Sequence, residues 1–170
     1  AAEYAQRATE LDPHSADAAL QERYASFLLR NLGKPEAAAE YAQRATELDP
    51  HSADAWLTLG LINYKLNDLA KGDSAMDKAM EYGKAESLCL LRKAIARYHS
   101  ARQEPYSRRS PGLLKEAEML VKRSVASASP DDFYHRKNRH EAEKYSALIR
   151  SLILMISRRE VAAANAPQKL

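Results

Sequence analysis

The sequence predicts an all-α fold built from paired helices, and three observations support this. Helix-forming Ala, Leu, Glu, Lys and Arg dominate its 170 residues, whereas the β-formers Val, Ile and Thr are scarce. An 18-residue stretch occurs twice. Proline and glycine recur where helices would begin or end. The single cysteine, Cys89, excludes a disulfide framework, and no apolar run reaches the ~18–20 residues of a membrane span.

The duplicated stretch indicates a repeat array. Residues 1–18 read AAEYAQRATELDPHSADA and residues 38–55 are identical, at an offset of 37 residues. A fixed period of this size is the signature of stacked supersecondary units. Natural repeats usually diverge, so strict identity indicates either a recent duplication or an engineered copy. Because the chain does not begin with Met, we expect it to be either a fragment or a processed form of a protein.

Helix signals divide the chain into segments. The helical repeat array is expected over residues 1–128, followed by a capping or extension helix with a frayed tail over 129–170. Within the array we expect an orphan helix at 1–15, repeats at 16–50 and 51–83, and an irregular repeat at 84–128.

Each repeat is predicted to contain two helices. Gly33 suits a position just past a helix end, and Pro35 suits the start of the next helix. Asp49-Pro50 terminates the helix that begins at Pro35. Ser52 is a candidate N-cap for the next helix, which is expected to end near Leu66. The remaining predicted segments are a helix at Ala70–Tyr82, a helix at Ser87–Ala101, a loop at Gln103–Gly112, a helix at Leu113–Ala128 and a final helix at about Asp132–Val161, which Ser129-Pro130 precedes and Asp131-Asp132 caps.

The segment Trp56-Leu57-Thr58-Leu59-Gly60, followed by Tyr64, Gly72 and Ala79, resembles a tetratricopeptide repeat (TPR), a 34-residue helix-turn-helix unit. Counted back from Pro50, the small residues Gly33, Ala38, Ala42 and Ala45 fall in the same frame. The resemblance is strong over residues 1–83 and weak over 84–128. The offset of 37 departs from the family period, so we expect either an extra turn on the helix Asp17–Asn31 or a longer loop before it.

The resemblance implies a superhelix whose concave face is lined by the first helix of each pair. This face is expected to be apolar with a cationic fringe, and its partner-binding residues are Arg23, Phe27, Arg30, Leu57, Leu61, Tyr64, Lys65, Leu91, Ile95 and Tyr98. Chaperone-binding members carry polar clamp residues where this chain has Leu57 and Leu61. We therefore expect no recognition of a C-terminal Hsp70 or Hsp90 tail.

The final helix carries an apolar stripe that includes Leu148, Leu152 and Met155. One interpretation is that this helix packs on the third repeat and caps the array. The other is that part of the stripe contacts another chain, as in a homodimer.

The leading functional hypothesis is a non-enzymatic module that binds a peptide or helix of a protein partner in the concave groove. No catalytic motif, metal-ligand spacing or cofactor motif occurs, so no catalytic residue, metal or cofactor is expected. A structural scaffold or spacer is the alternative, and we expect no membrane association. Localisation stays open, with the cytoplasm favoured.

A polyanion-binding adaptor is a further alternative, suggested by uneven charge. Residues 1–83 carry 8 Lys and Arg against 14 Asp and Glu, whereas residues 84–170 carry 18 against 9. The basic half includes Arg108-Arg109 beside Tyr106. Charge alone bears on association rather than fold, and we expect nucleic acid to be an unlikely partner.

Overall fold

A computed structural model describes the backbone of residues 13–128 and 133–164, and the side chains of 16–128 and 138–162. The predicted orphan helix lies outside the described residues, except for its last three positions. The Ser129-Pro130 break, its Asp131-Asp132 cap and the tail from residue 165 also lie outside them.

The described residues form seven α-helices and no strand, which confirms the all-α prediction. The chain divides into two compact units, Ala1–Ala85 and Glu86–Leu170. The helices of unit 1 are α1 (Pro13–Arg30), α2 (Pro35–Leu48), α3 (Ala53–Lys65) and α4 (Leu69–Glu81). Those of unit 2 are α5 (Glu86–Gln103), α6 (Ser110–Ala126) and α7 (Phe133–Ala164).

The described residues of unit 1, from 13 onwards, form two helical hairpins with a structural period of 34 residues. Helix α1 pairs with α2 and α3 pairs with α4, while α3 also packs on α2 and α1. The turn residues Gly33 and Asn67 are 34 positions apart and both are left-handed, with φ of 59° and 60°. Asp68, the N-cap of α4, accepts a hydrogen bond from the backbone N–H of Lys71 at 3.0 Å, which lowers the pKa of its carboxyl group.

The difference between the 37-residue sequence offset and the 34-residue structural period is absorbed by α1. This helix has 18 residues, whereas α3 has 13. The chain therefore adopts the extra helical length rather than the longer loop.

Helix α1 is longer than α3 because residues that form a turn in the second copy of the duplicated stretch are helical in the first copy. Residues 13–15 are helical, whereas the same three letters at 50–52 form a turn in which Ser52 caps α3. In the second copy, the indole N–H of Trp56 donates to the carbonyl oxygen of Pro50 at 2.7 Å and holds the turn. The equivalent position of the first copy is Ala19, which has no side-chain donor.

Helices α3 and α4 approach closely because glycine occupies their crossing. A Cβ added to Gly72 would overlap the ring of Tyr64. One added to Gly60 would lie 3.0 Å from Cε of Met76 and 3.3 Å from the carbonyl oxygen of Gly72. Met76 is fully buried, so the space that the glycines leave is filled by neighbouring side chains.

Unit 2 has a hydrophobic core to which all three of its helices contribute. The side chains of Leu91 in α5, Leu114 in α6 and Ile149 in α7 are buried together. Helix α7 packs against both α5 and α6, and Arg92 of α5 forms a 2.9 Å ion pair with Glu141 of α7. Helix α7 therefore caps the third hairpin, as the first interpretation of the final helix expects.

Replacement of Gly72 by alanine is expected to destabilise unit 1 by about 1–3 kcal/mol, because the new methyl group displaces the Tyr64 ring. Urea denaturation followed by circular dichroism measures this, since the signal reports the helices of both units. Gly112→Ala is the matched control, because no atom lies within 4 Å of its added Cβ. Equal stability of the two variants would contradict the close crossing.

Replacement of Ile149 by alanine is expected to cost about 2–5 kcal/mol, because its fully buried side chain joins α7 to the core of unit 2. Leu154→Ala on the same helix should change stability by less than about 0.5 kcal/mol, since this side chain is 58% exposed. Urea denaturation followed by circular dichroism distinguishes them. A negligible cost at Ile149 would show that α7 is not part of the unit 2 core.

Candidate functional site

The predicted partner face of unit 1 lies on α1 and α3. On α1, Ala25 and Leu28 are buried in the core, while Arg23, Phe27 and Arg30 follow one another at the helical spacing of four and three residues. The 34-residue period matches these three positions to Leu57, Leu61 and Tyr64 of α3. The two helices are tied together where the hydroxyl of Thr58 donates to Oε1 of Glu22 at 2.7 Å.

This face combines exposed apolar surface with cations. The Phe27 side chain is 47% exposed, between the exposed Arg23 and Arg30. Leu57 and Leu61 are half-buried, and Lys65 at the end of α3 is exposed. We name Arg23, Phe27, Arg30, Leu57, Leu61, Tyr64 and Lys65 the first-helix face.

Tyr64 is fixed within the first-helix face by its neighbours. Its hydroxyl donates to Oδ1 of Asp73 at 2.7 Å, and its ring packs against Gly72. The half-buried side chain is therefore held against α4 and contributes to the packing of the hairpin.

Sequence reasoning missed an aromatic pair on the first hairpin. The rings of Tyr24 on α1 and Tyr41 on α2 meet edge to face, with centroids 4.6 Å apart. Tyr24 is exposed, and so is Leu20 one turn before it. The signal lay in the 34-residue frame, which matches Tyr24 to Thr58, a small residue buried between hairpins. Alignment of the two copies at the 37-residue offset does not pair Tyr24 with Thr58.

The structure corrects the expected partner contacts in unit 2. Leu91 is fully buried and Tyr98 is 5% exposed, while Ile95 packs against the same core. The ring of Tyr98 meets that of Tyr145 on α7 edge to face at 5.6 Å. These side chains serve the packing of α7 on α5, so they are not an open binding surface.

Tyr145 also lies close to His99, whose Nε2 is 3.2 Å from the phenolic oxygen. Burial raises the pKa of Tyr145, the charge of Glu141 adds to this effect, and Arg92 opposes it. The phenol therefore stays protonated at neutral pH and can act as a hydrogen-bond donor.

The three residues expected at an oligomer contact separate into two groups. Leu148 and Leu152 are partly buried and pack against the core of unit 2. Met155 is exposed, as is its neighbour Leu154. Two of the three side chains thus contribute to the capping of unit 2 rather than to an open stripe.

No cluster of three or more His, Cys, Asp or Glu side chains suited to a metal ion occurs in the described part of the chain. Within the same part, no helix is long and apolar enough to cross a membrane. The thiol of Cys89 is buried in α5.

Comparison with protein-family models identifies known repeats in part of this chain. Models of the tetratricopeptide repeat match residues 18–62 and 53–82, which together span α1 to α4. Residues 18–82 therefore consist of tetratricopeptide repeats. No curated protein sequence matches it significantly.

Solved TPR domains share the fold. The first TPR of Spaghetti (RPAP3), bound to the HSP90 peptide SRMEEVD, is 16% identical with a TM-score of 0.59, over 82% of this chain and 95% of that one. The first TPR domain of human RPAP3 is 15% identical with a TM-score of 0.61, over 85% of this chain and 98% of the other. At these identities, the likeness shows the fold alone.

Proposed function

We propose that this chain is a non-enzymatic interaction module that binds an apolar peptide or helix of a protein partner on the first-helix face. The observation that carries the proposal is the exposed Phe27 between two arginines, matched one period later by the half-buried Leu61. TPR folds are protein-interaction modules in general, and one structural neighbour is bound to a peptide.

The chemistry of the face specifies the ligand class. Burial of a large apolar side chain contributes roughly 1.5–3 kcal/mol, so Phe27 with Leu57 and Leu61 can anchor a peptide through apolar residues. Arg23, Arg30 and Lys65 favour carboxylates beside those anchors. The ligand proposed is therefore an amphipathic segment with apolar anchors flanked by Asp or Glu.

Selection of displayed peptides on the complete chain supplies a probe, whose dissociation constant is then measured by fluorescence anisotropy. Phe27→Glu is expected to weaken binding at least about tenfold, because it removes an apolar anchor and introduces a carboxylate whose burial at the interface would be unfavourable. Met119→Glu in α6 is the matched control, since Met119 is an exposed apolar residue of unit 2.

The control variant should bind the selected peptides with unchanged affinity. Equal binding by Phe27→Glu and the unmodified chain would reject the first-helix face as the binding surface. Failure to select any peptide would favour the scaffold or spacer alternative.

We expect no recognition of a C-terminal carboxylate on this face, because Leu57 and Leu61 replace the polar residues that a carboxylate clamp would need. Amidation of the peptide SRMEEVD is therefore expected to change its dissociation constant by less than about twofold in calorimetric titration, because the Met, Val and acidic side chains are unaltered. A loss of about tenfold or more on amidation would identify the terminal carboxylate as the recognised group and contradict this expectation.

A further inference from the structure

A second candidate surface lies in unit 2, at the loop between α5 and α6. Hydrogen bonds within the loop hold its shape. The backbone N–H of Ser107 donates to the carbonyl oxygen of Glu104 at 3.1 Å, and that of Ser110 donates to the carbonyl oxygen of Ser107 at 3.1 Å. The hydroxyl of Ser110, which is fully buried, also donates to the carbonyl oxygen of Glu104. The side chains between them therefore project from an ordered turn.

Helix α7 ends at this same loop. The guanidinium carbon of Arg159 lies 3.7 Å from the centroid of the Tyr106 ring, which is the geometry of a cation–π contact. The contact joins residues that are more than 50 positions apart in sequence, and it leaves Tyr106 53% exposed. Arg158 neighbours Arg159, and Arg108 follows Tyr106 by two residues.

The result is a concentration of arginine at one end of unit 2, which we name the arginine end. The arginine end consists of Arg102, Arg108, Arg109, Arg158, Arg159 and Tyr106. All six side chains are exposed.

The arginine end differs from the rest of unit 2 in the ion pairs that its arginines form. Elsewhere, Arg92, Arg123 and Arg139 form ion pairs with glutamates. Within the described residues, no ion pair involves Arg108 or Arg158. Among the residues that the structure describes, five guanidinium groups share this end with two carboxylates, those of Glu104 and Glu160, which leaves a positive excess in that part of the chain.

We propose that the arginine end binds an acidic segment of a protein partner, independently of the first-helix face. Guanidinium groups bind carboxylates through paired hydrogen bonds. Glu104 and Glu160 interrupt the positive surface, and they would repel the evenly spaced phosphates of a nucleic acid. A peptide can place neutral residues opposite these two glutamates, so separated carboxylates fit the surface better.

The test uses the complete chain and the fluorescein-labelled peptide GEDEGEDEGEDE, with a uridine oligonucleotide of equal length as the competing class. Anisotropy at low salt measures both dissociation constants. The variant Arg108→Gln with Arg109→Gln is expected to weaken peptide binding about fivefold or more, and Arg158→Gln about twofold to threefold, because each removes one or two exposed charge contacts.

The matched control is Lys144→Gln with Arg150→Gln, which also removes two exposed charges of unit 2. These positions lie about 14–22 Å back along α7 from Arg159. Less than about a twofold effect of this control supports a localised surface. An equal effect of both double variants would overturn the proposal in favour of net charge alone. Tighter binding of the oligonucleotide than of the peptide would overturn it in favour of a nucleic-acid surface.

Discussion

The structure of unit 1 depends on the crossing of α3 and α4, where two glycines let the helices approach until side chains fill the gap. Tyr64 packs on Gly72, and Met76 packs against Gly60. At this crossing the glycines make room for the side chains of Tyr64 and Met76. The close approach of the two helices and the packing of these side chains between them are therefore two consequences of one constraint.

Much of this fold could be predicted from residue types with strong local preferences. Gly33 and Pro35 place the turn between α1 and α2 correctly, since their backbone preferences are local. The start of α1 could not be predicted, because residues 13–15 and 50–52 are identical yet only the first three are helical. The difference depends on Trp56, which stabilises only the second turn. Such a contact lies outside any six-residue pattern.

The candidate site was only partly predictable, for a reason of packing. An amphipathic pattern shows which residues of a helix are apolar, but not which neighbouring helix covers them. Phe27 stays exposed on α1, whereas Leu91 and Tyr98 are covered by α7. The contact between Arg159 and Tyr106 was equally beyond sequence reasoning, because it depends on the length and direction of α7.

The chemical shift of the Gly72 α-protons, measured by NMR on the complete chain, tests the close crossing most directly. The ring of Tyr64 lies against this residue, so its ring current should move these protons well away from their ordinary helical values. Tyr64→Leu keeps an apolar side chain without a ring current, and it should return the shift towards those values. An ordinary shift in the unmodified protein would contradict the crossing, and with it the packing of Tyr64 on Gly72 in unit 1.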